Sequence, residues 1–396
     1  MNFIFISPAF PKSYYNFCDR LKKNGMNVLG IGDTPYNDLD SNVINSLTEY
    51  YKVSNMQNYD EMYRAVAYFA FKYGKIDFLE SNNEFWLRQD ARLRTDFNIY
   101  GAKTNDVLTF TSKSQMKEFY KKAKVPCARY KFSTNYQEDL DFIQNVVSFP
   151  VVVKPDVGVG AARTYRIENE NDLKEFHNSG FNVPYIIEEY IYGDIISFDG
   201  ICDNESNVVF CDNEVFPPSI MDIVNNNLEI SYYVNKEVPK KVLDIGKRVI
   251  KAFNIKSRYF HLEFFRLINE KKGLGKAGDI VALEVNMRPP GGYTPDVINF
   301  SQSVDTYQIY ADVMAYNKVV NVDFSHPKYY CIYIGRRDRF NYKYDYDYIK
   351  SLYSSIVMHD RCPNALSDAL GNEFFIAKFE SYEEMEGFKE MVFEKN

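Results

Sequence analysis

The chain has 396 residues, which is long enough for two or three domains, and its 45% hydrophobic and 26% charged residues are typical of a globular protein. Its net charge of −7 argues against a general nucleic-acid-binding protein. No apolar run approaches the roughly 18 residues of a membrane span. The six cysteines form no C-x-x-C pair, which predicts free thiols in a reducing compartment and a cytoplasmic protein.

The first part of the chain alternates strand and helix patterns, which predicts a parallel α/β sheet. The segments that carry this pattern are "NFIFISPA", "SYYNFCDRLKKNG", "MNVLGIGD", "YDEMYRAVAYFAFKYG" and "IDFLESNNE". No G-x-G-x-x-G follows the first strand, so the dinucleotide-binding fingerprint is absent. We therefore predict a Rossmann-like domain over residues 1–105 that lacks the usual cofactor loop.

The rest of the chain changes to α+β patterns. The segment "TSKSQMKEFYKKAKVP" predicts a helix with Ser112 or Thr111 as its cap, and "FPVVVKPDVGVGAARTYRI" predicts two strands around a glycine-containing loop. The segments "RYFHLEFFRLI" and "DIVALEVNM" predict an antiparallel hairpin. The predicted boundaries are a second domain over 106–320, with a lid lobe near 125–190, and a small α+β subdomain over 321–396.

The second strand of this hairpin carries polar residues at alternate positions. Glu284, Asn286 and Arg288 share one face, because residues i and i+2 of a strand point the same way. If the two strands pair, Glu263 in "FHLEFF" joins this face. Hard oxygen ligands at such spacing suit Mg²⁺ or Mn²⁺ and not zinc, and two ions could share Glu284 as a bridge. The pattern therefore predicts a metal site made of Glu263, Glu284 and Asn286.

Two lysines and a glycine loop supply partners for phosphate groups. Lys154 ends the apolar run "FPVVV", and Gly158 and Gly160 follow it in a loop whose backbone N–H groups can approach an anion. Lys113 opens the predicted helix earlier in the chain. No G-x-x-x-x-G-K-[ST] is present, so a P-loop is excluded. Lysines, glycine loop and acidic strands together favour a Mg-nucleotide site.

At this point the sequence resembles the ATP-grasp superfamily, in particular its carboxylate–amine ligases and the biotin carboxylase and carbamoyl-phosphate synthetase modules. The match runs in order over roughly residues 80–320. It is carried by "SKSQMKEFYKKAKVP", "FPVVVKPDVGVGAA", "YIIEEYIYGDIISFDG", "FHLEFF" and "LEVNMRPPGG". Each segment alone is weak, whereas all five in order are specific.

The resemblance implies a role for each matching position. Lys113 and Lys154 would hold ATP phosphates, and Arg288 would face the transferred phosphoryl group and the substrate carboxylate. The adenine edge would meet Glu188, Glu189 and Ile191. Two Mg²⁺ would lie on Glu263, Glu284 and Asn286. One departure concerns the ribose contact, because Ile195 stands where the family often has Glu, and Asp194 or Glu189 is the expected substitute.

Structural interpretations of the same residues stay open at this stage. Lys113 lies on a lysine-rich helix and could be surface charge, and Arg288 could simply neutralise the two carboxylates. His261 shares a face with Glu263 and is expected to support it or to pack in the core.

The implied activity is an ATP-dependent ligase that joins a carboxylate to an amine through an acyl phosphate. Its partners would be two small molecules, with amino acids among the candidates and a homodimer as an expectation from relatives. Three alternatives stay open: a bicarbonate-using ligase or synthetase subunit, a kinase-like member, and a non-catalytic ATP-binding sensor. No motif identifies either substrate.

Overall fold

The computed structural model describes residues 1–158, 163–216 and 228–396. Within them, the first part of the chain forms a parallel four-stranded sheet in the order β3-β2-β1-β4. Helices connect consecutive strands, as the alternating pattern predicts. The strands are β1 Asn2–Ile6, β2 Asn27–Gly32, β3 Glu49–Lys52 and β4 Phe78–Glu80. The helices of this part are Tyr15–Lys23, Ser41–Ser46, Tyr59–Tyr73 and Leu87–Asp96.

A smaller antiparallel sheet follows, in the order β5-β8-β6-β7. Its inner face is apolar, because Val151 and Val153 on one strand and Ile187 on its neighbour are fully buried. The helices Tyr136–Phe142 and Glu170–Ser179 contribute Leu140 and Leu173 to the same core. The strands are β5 Tyr130–Phe132, β6 Val151–Pro155, β7 Tyr165–Ile167 and β8 Tyr185–Glu189.

The third sheet has nine described strands, all of them antiparallel, in the order β14-β13-β9-β11-β12-β15-β17-β16, with β10 also paired to β9. The predicted hairpin is the β13–β14 pair of this sheet. Strands from 321–396 extend the sheet through the β12–β15 pair, and the domain boundaries stay a prediction. The strands are β9 Gly193–Cys202, β10 Val208–Asp212, β11 Glu214–Phe216, β12 Ile230–Val234, β13 Arg258–Leu267, β14 Ile280–Asn286, β15 Tyr330–Arg336, β16 Ile356–Arg361 and β17 Glu373–Phe379.

One helix packs unusually close to this sheet. The helix Lys240–Phe253 buries an apolar stripe against β9 and β13. A Cβ on Gly246 would lie 2.1 Å from Phe198 Cδ1, so only glycine allows this approach. The remaining described helices are Thr104–Thr111, Lys113–Lys122, Thr294–Gln302, Thr306–Tyr316, Tyr346–Leu352, Asn364–Leu370 and Tyr382–Phe393.

Two further predictions concern free thiols and membrane-spanning segments. All six cysteines are free thiols. Among the described residues, no helix combines the length and the apolar character needed to cross a bilayer.

Candidate functional site

Strand pairing places the predicted metal ligands side by side. In the β13–β14 register Glu263 lies opposite Glu284, and His261 lies opposite Asn286. The two carboxylate side chains are 24% and 20% exposed, so both are accessible from one side of the sheet. Burial raises the pKa of Glu284, Lys113 opposes the shift, and Glu263 adds to it. Two carboxylates and an amide therefore converge, a donor set of oxygens that fits Mg²⁺ or Mn²⁺.

His261 supports Glu263 from within the sheet. Its Nε2 lies 3.2 Å from Glu263 Oε1, and its Nδ1 contacts Asp199 Oδ1 on β9. Burial lowers the pKa of His261, but the carboxylates of Asp199 and Glu263 outweigh it and raise this pKa to about 10. The ring is thus an imidazolium between two carboxylates, and it orients Glu263 without being free to bind a metal itself.

Lys113 is the first residue of a helix whose N-terminus lies at this site. Ser112 caps the helix Lys113–Lys122, as one of the two predicted caps. Asp156, directly after β6, accepts hydrogen bonds from Ser112 Oγ and from the Ser114 backbone N–H, both at 2.8 Å. This pairing fixes the helix to the glycine-containing loop. Lys113 Nζ consequently lies 3.4 Å from Glu284 Oε1 and 3.4 Å from the Gly158 carbonyl oxygen.

Of the two predicted loop glycines, the structure describes only Gly158. A Cβ built on Gly158 would meet its nearest atom, Pro155 Cβ, at 3.7 Å, which is an ordinary contact. Packing therefore does not require glycine there, and close approach to a phosphate stays the predicted reason. Gly160 lies outside the described residues.

Lys154 is paired with Glu188 in a buried cluster that includes a residue missed from the sequence. Glu188 Oε2 lies 2.7 Å from Lys154 Nζ, and its Oε1 lies 2.8 Å from Lys117 Nζ. Burial would raise the pKa of Glu188, but the two ammonium groups hold it at about 2. Lys117 follows Lys113 by one helical turn, so the i, i+4 spacing was the signal that could have found it.

We expect Lys117→Met to lower the free energy of unfolding by about 1–3 kcal/mol, since a buried acceptor loses a partner. Lys117 Nζ also donates to the Ala128 carbonyl at 3.0 Å. The matched control is Lys121→Met, an exposed lysine on the same helix, which we expect to change the stability little. Urea unfolding without nucleotide measures both variants, and equal losses would contradict a supporting role for Lys117.

The pH dependence of this loss follows from the low pKa of Glu188. A carboxylate whose pKa is depressed by folding stabilises the protein above its unfolded pKa, and this stabilisation is lost as the pH falls through the folded value. For Glu188 these values are 4.5 and about 2. The stability difference between wild type and Lys117→Met should therefore narrow as the pH falls through this range.

The other predicted residues on β8, on β9 and between these strands also have partners. Glu189 is buried, and Arg129 donates to it from Nε at 3.1 Å and from Nη2 at 2.6 Å. Ile191 packs in a small apolar cluster with Ala128, Leu267 and Val281. Asp194, one expected substitute at the ribose, accepts from Arg266 Nη2 at 2.8 Å. Both predicted carboxylates at the end of β8, Glu188 and Glu189, are therefore paired, and Ile191 after them packs among apolar side chains.

Arg288 contacts a carboxylate that the sequence analysis did not single out. Its Nε and Nη2 donate to Glu84 Oε2 at 3.2 and 2.9 Å, and its Nη1 donates to the Pro289 carbonyl. Burial lowers the pKa of Arg288, but Glu84 outweighs it and raises this pKa. Glu84 follows β4, so the parallel sheet contributes to the site. Its signal was the polar run "ESNNE" at the carboxyl end of a parallel strand, where ligands commonly bind.

Comparisons with known proteins agree with this geometry. Residues 111–216 match the family model of the ATP-grasp (A) domain of phosphoribosylglycinamide synthetase. The L-arginine-specific L-amino acid ligase of Bacillus subtilis is 22% identical over 253 residues, which are 62% of this chain. The chain matches 59% of the length of that relative.

Solved structures extend the likeness to nearly the whole chain. An L-amino acid ligase from Bacillus licheniformis has a TM-score of 0.71 at 14% identity, covering 99% of this chain and 96% of its own. The biotin carboxylase domain of Hydrogenobacter thermophilus 2-oxoglutarate carboxylase, solved with MgADP, ADP and bicarbonate, has a TM-score of 0.68 at 15% identity. It covers 95% of this chain and 86% of its own.

These findings define the fold. The chain has the fold of ATP-grasp proteins, and its residues 111–216 match an ATP-grasp domain model. The resemblance to this superfamily and the predicted α/β fold class are therefore confirmed.

Proposed function

We propose that this chain is an ATP-dependent ligase that joins a carboxylate to an amine and releases ADP and phosphate. The observation that carries the proposal is the convergence of two groups. Glu263, Glu284 and Asn286 lie on paired strands, while Lys113 reaches Glu284 from a helix N-terminus. The ligases among the relatives support the same reaction class.

The donor set determines which metal this site would hold. Glu263, Glu284 and Asn286 offer oxygens, and no thiolate or free imidazole nitrogen faces them among the described contacts. Mg²⁺ or Mn²⁺ on these residues would neutralise charge on the ATP phosphates. The proposal includes two ions, with Glu284 as the ligand that both ions share.

The chain's own residues then bind and orient the reactants. Lys113 and Lys154 attract the phosphates, and the main chain near Glu188, Glu189 and Ile191 receives the adenine. Lys154 is held ready by Glu188 at 2.7 Å. A buried ammonium acts in a low local dielectric, where its attraction for phosphate is larger than in water.

The reaction proceeds in two displacements. A substrate carboxylate oxygen attacks the γ-phosphorus, the bond from that phosphorus to the bridging oxygen breaks, and ADP leaves. The amine nitrogen then attacks the acyl carbon, phosphate leaves with the carbon–oxygen bond pair, and the nitrogen loses a proton. Arg288 is placed to bind the carboxylate and the developing acyl phosphate, because a guanidinium donates two parallel hydrogen bonds. In the structure its Nε and Nη2 both donate to one oxygen of a carboxylate, Glu84 Oε2.

A bicarbonate-using ligase is the second candidate, since a biotin carboxylase domain shares the fold over 95% of this chain. Measurement of ADP release with ATP, Mg²⁺ and a panel of amino acids, other carboxylates, amines and bicarbonate separates the candidates. The ligase requires ADP release that depends on both a carboxylate and an amine, with an amide product by mass spectrometry. Release that depends on bicarbonate alone would favour the second candidate, and no release with any pair would favour a sensor.

Mg-ATP should raise the melting temperature of the protein, because a ligand bound only to the native state stabilises it. At 100 times Kd the gain is about 2.7 kcal/mol. Lys154→Ala should reduce the shift, whereas Lys121→Ala, an exposed lysine, should keep it. Thermal unfolding with and without Mg-ATP measures all three proteins. A melting temperature that saturating Mg-ATP leaves unchanged in the wild type would exclude the ATP site.

A further inference from the structure

A second group of acidic residues lies inside the nine-stranded sheet, apart from Glu263 and Glu284. Asp199 on β9, Asp212 on β10 and Glu214 on β11 are all fully buried. One carboxylate oxygen of each lies within 4.8 Å of those of the other two. Strand pairing produces this cluster, because Asp212 is the register partner of Asp199. The Glu214 backbone N–H donates to Ser197 Oγ on β9 at 3.1 Å.

Two of these carboxylates lack any hydrogen-bond donor among the residues that the structure describes. Neither oxygen of Asp212 and neither oxygen of Glu214 accepts a hydrogen bond there. Burial of an unpaired charged group costs several kcal/mol or more, so native proteins pair such groups or coordinate them to a metal. Both side chains point into the same cluster. Burial raises the pKa of Asp212 and of Glu214 well above the ordinary values, and Asp199 adds to both shifts, so the cluster is stabilised either by protonation or by a bound cation.

The protein supplies little positive charge to this cluster. In the described ranges, His261 is the basic side chain in contact with it, through Asp199 Oδ1. The other ring nitrogen of His261 faces Glu263 at 3.2 Å. His261 therefore offers no free nitrogen as a metal ligand, and the donors that remain are all carboxylate oxygens.

We propose that Asp199, Asp212 and Glu214 bind a divalent cation of the Ca²⁺ or Mn²⁺ type, independently of nucleotide. Oxygens that share a Ca²⁺ at about 2.3–2.6 Å lie at most about 5 Å apart. The observed spacing, within 4.8 Å, meets this condition. An all-oxygen donor set disfavours zinc, which prefers nitrogen and sulfur ligands.

This cation site is distinct from the nucleotide-metal residues but is connected to them. Asp199 contacts His261, and His261 contacts Glu263. A cation that fixes Asp199 thus also fixes the ring that orients Glu263. The site on β9, β10 and β11 is a positioning element for the metal strands, and its occupation does not depend on ATP.

Equilibrium Mn²⁺ binding, followed by the electron paramagnetic resonance of free Mn²⁺ without nucleotide, tests the proposal. The variants are Asp212→Asn, Glu214→Gln and Glu284→Ala. We expect one Mn²⁺ site in the wild type, retained in Glu284→Ala and displaced by Ca²⁺. Asp212→Asn and Glu214→Gln should each weaken it by about 10–100-fold or more, the loss typical of damaged metal sites.

The shift in melting temperature caused by a cation is a second test, and its result for the wild type does not depend on how the amide variants fold. Ca²⁺ or Mn²⁺ alone should raise the melting temperature of wild type and of Glu284→Ala, but not of Asp212→Asn. Absence of Mn²⁺ binding by wild type, or unchanged binding in both amide variants, would overturn the proposal in favour of neutral, proton-sharing carboxyl groups. Loss of the site in Glu284→Ala alone would assign the ion to the nucleotide site instead. None of these readouts uses ATP, so the outcome is separate from that of the ligase assay.

Discussion

Replacement of Glu284 by alanine should abolish Mg-dependent ADP release while the protein remains folded. Glu284 is the carboxylate that faces both Glu263 across the strand pair and Lys113 from the helix. Its loss removes the proposed shared ligand and one side of the phosphate site. Loss of transition-state charge stabilisation of about 3–4 kcal/mol corresponds to about 10²–10³ in kcat. ADP release at saturating Mg²⁺ measures the effect.

Two controls separate the metal role from general damage. Asn286→Ala should be milder, because it removes a neutral ligand. Glu270→Ala removes an exposed carboxylate from the β13–β14 connection and should leave activity unchanged. Thermal unfolding without nucleotide should find all three variants folded. If Glu284→Ala releases ADP at nearly the wild-type rate, the metal assignment is wrong.

Arg288→Lys should keep ATP affinity within a few-fold but lose catalysis by about 10²–10³ in kcat, by analogy with loss of an oxyanion-hole donor. The guanidinium contacts a carboxylate oxygen through Nε and Nη2 at 3.2 and 2.9 Å. An ammonium cannot copy this planar geometry. Calorimetry of ATP binding and product formation, measured on the same preparation, check the two halves of the prediction.

Arg258→Lys is the matched control for Arg288→Lys. Arg258 is also buried and also pairs with a carboxylate of the first sheet, at 3.1 Å from Glu80. Arg258 is three residues before His261 and five before Glu263 on β13. An odd spacing places it on the opposite face of that strand. Both lysine variants should lose some stability, whereas only Arg288→Lys should lose turnover. Equal kcat in Arg288→Lys and wild type would reduce Arg288 to an ion-pair partner of Glu84.

The sequence by itself predicted the parts of this protein that depend on local periodicity. Alternation along β13 and β14 placed Glu263, Glu284 and Asn286 on common faces, and pairing of the two strands completed the set. Ser112 was identified as one of two caps because its side chain acts within its own helix turn. The strand–helix alternation of the first part predicted its parallel sheet for the same reason, since these signals lie within a few residues of one another.

The partners of the site residues were not predictable in this way. Lys117 meets Glu188 across 71 positions, and Arg288 meets Glu84 across 204. The lysine-rich helix allowed a surface interpretation of Lys113, whereas Lys117 is buried in the fold and its ammonium lies 2.8 Å from Glu188 on β8. An ion pair between distant elements leaves no periodic trace in either segment, because each partner only has to be charged.

The buried acidic cluster is another feature that local sequence patterns did not predict, although all three residues lie in one sheet. Asp199 is 13 positions before Asp212, and this spacing alone carries no signal of a shared site. The β9–β10 register and the β9–β11 contact bring the three carboxylates together, and the surrounding sheet removes them from water. The sequence thus determined which side chains alternate along each strand. The tertiary structure decided which carboxylates share a buried space, because strand order and burial are set by long-range pairing.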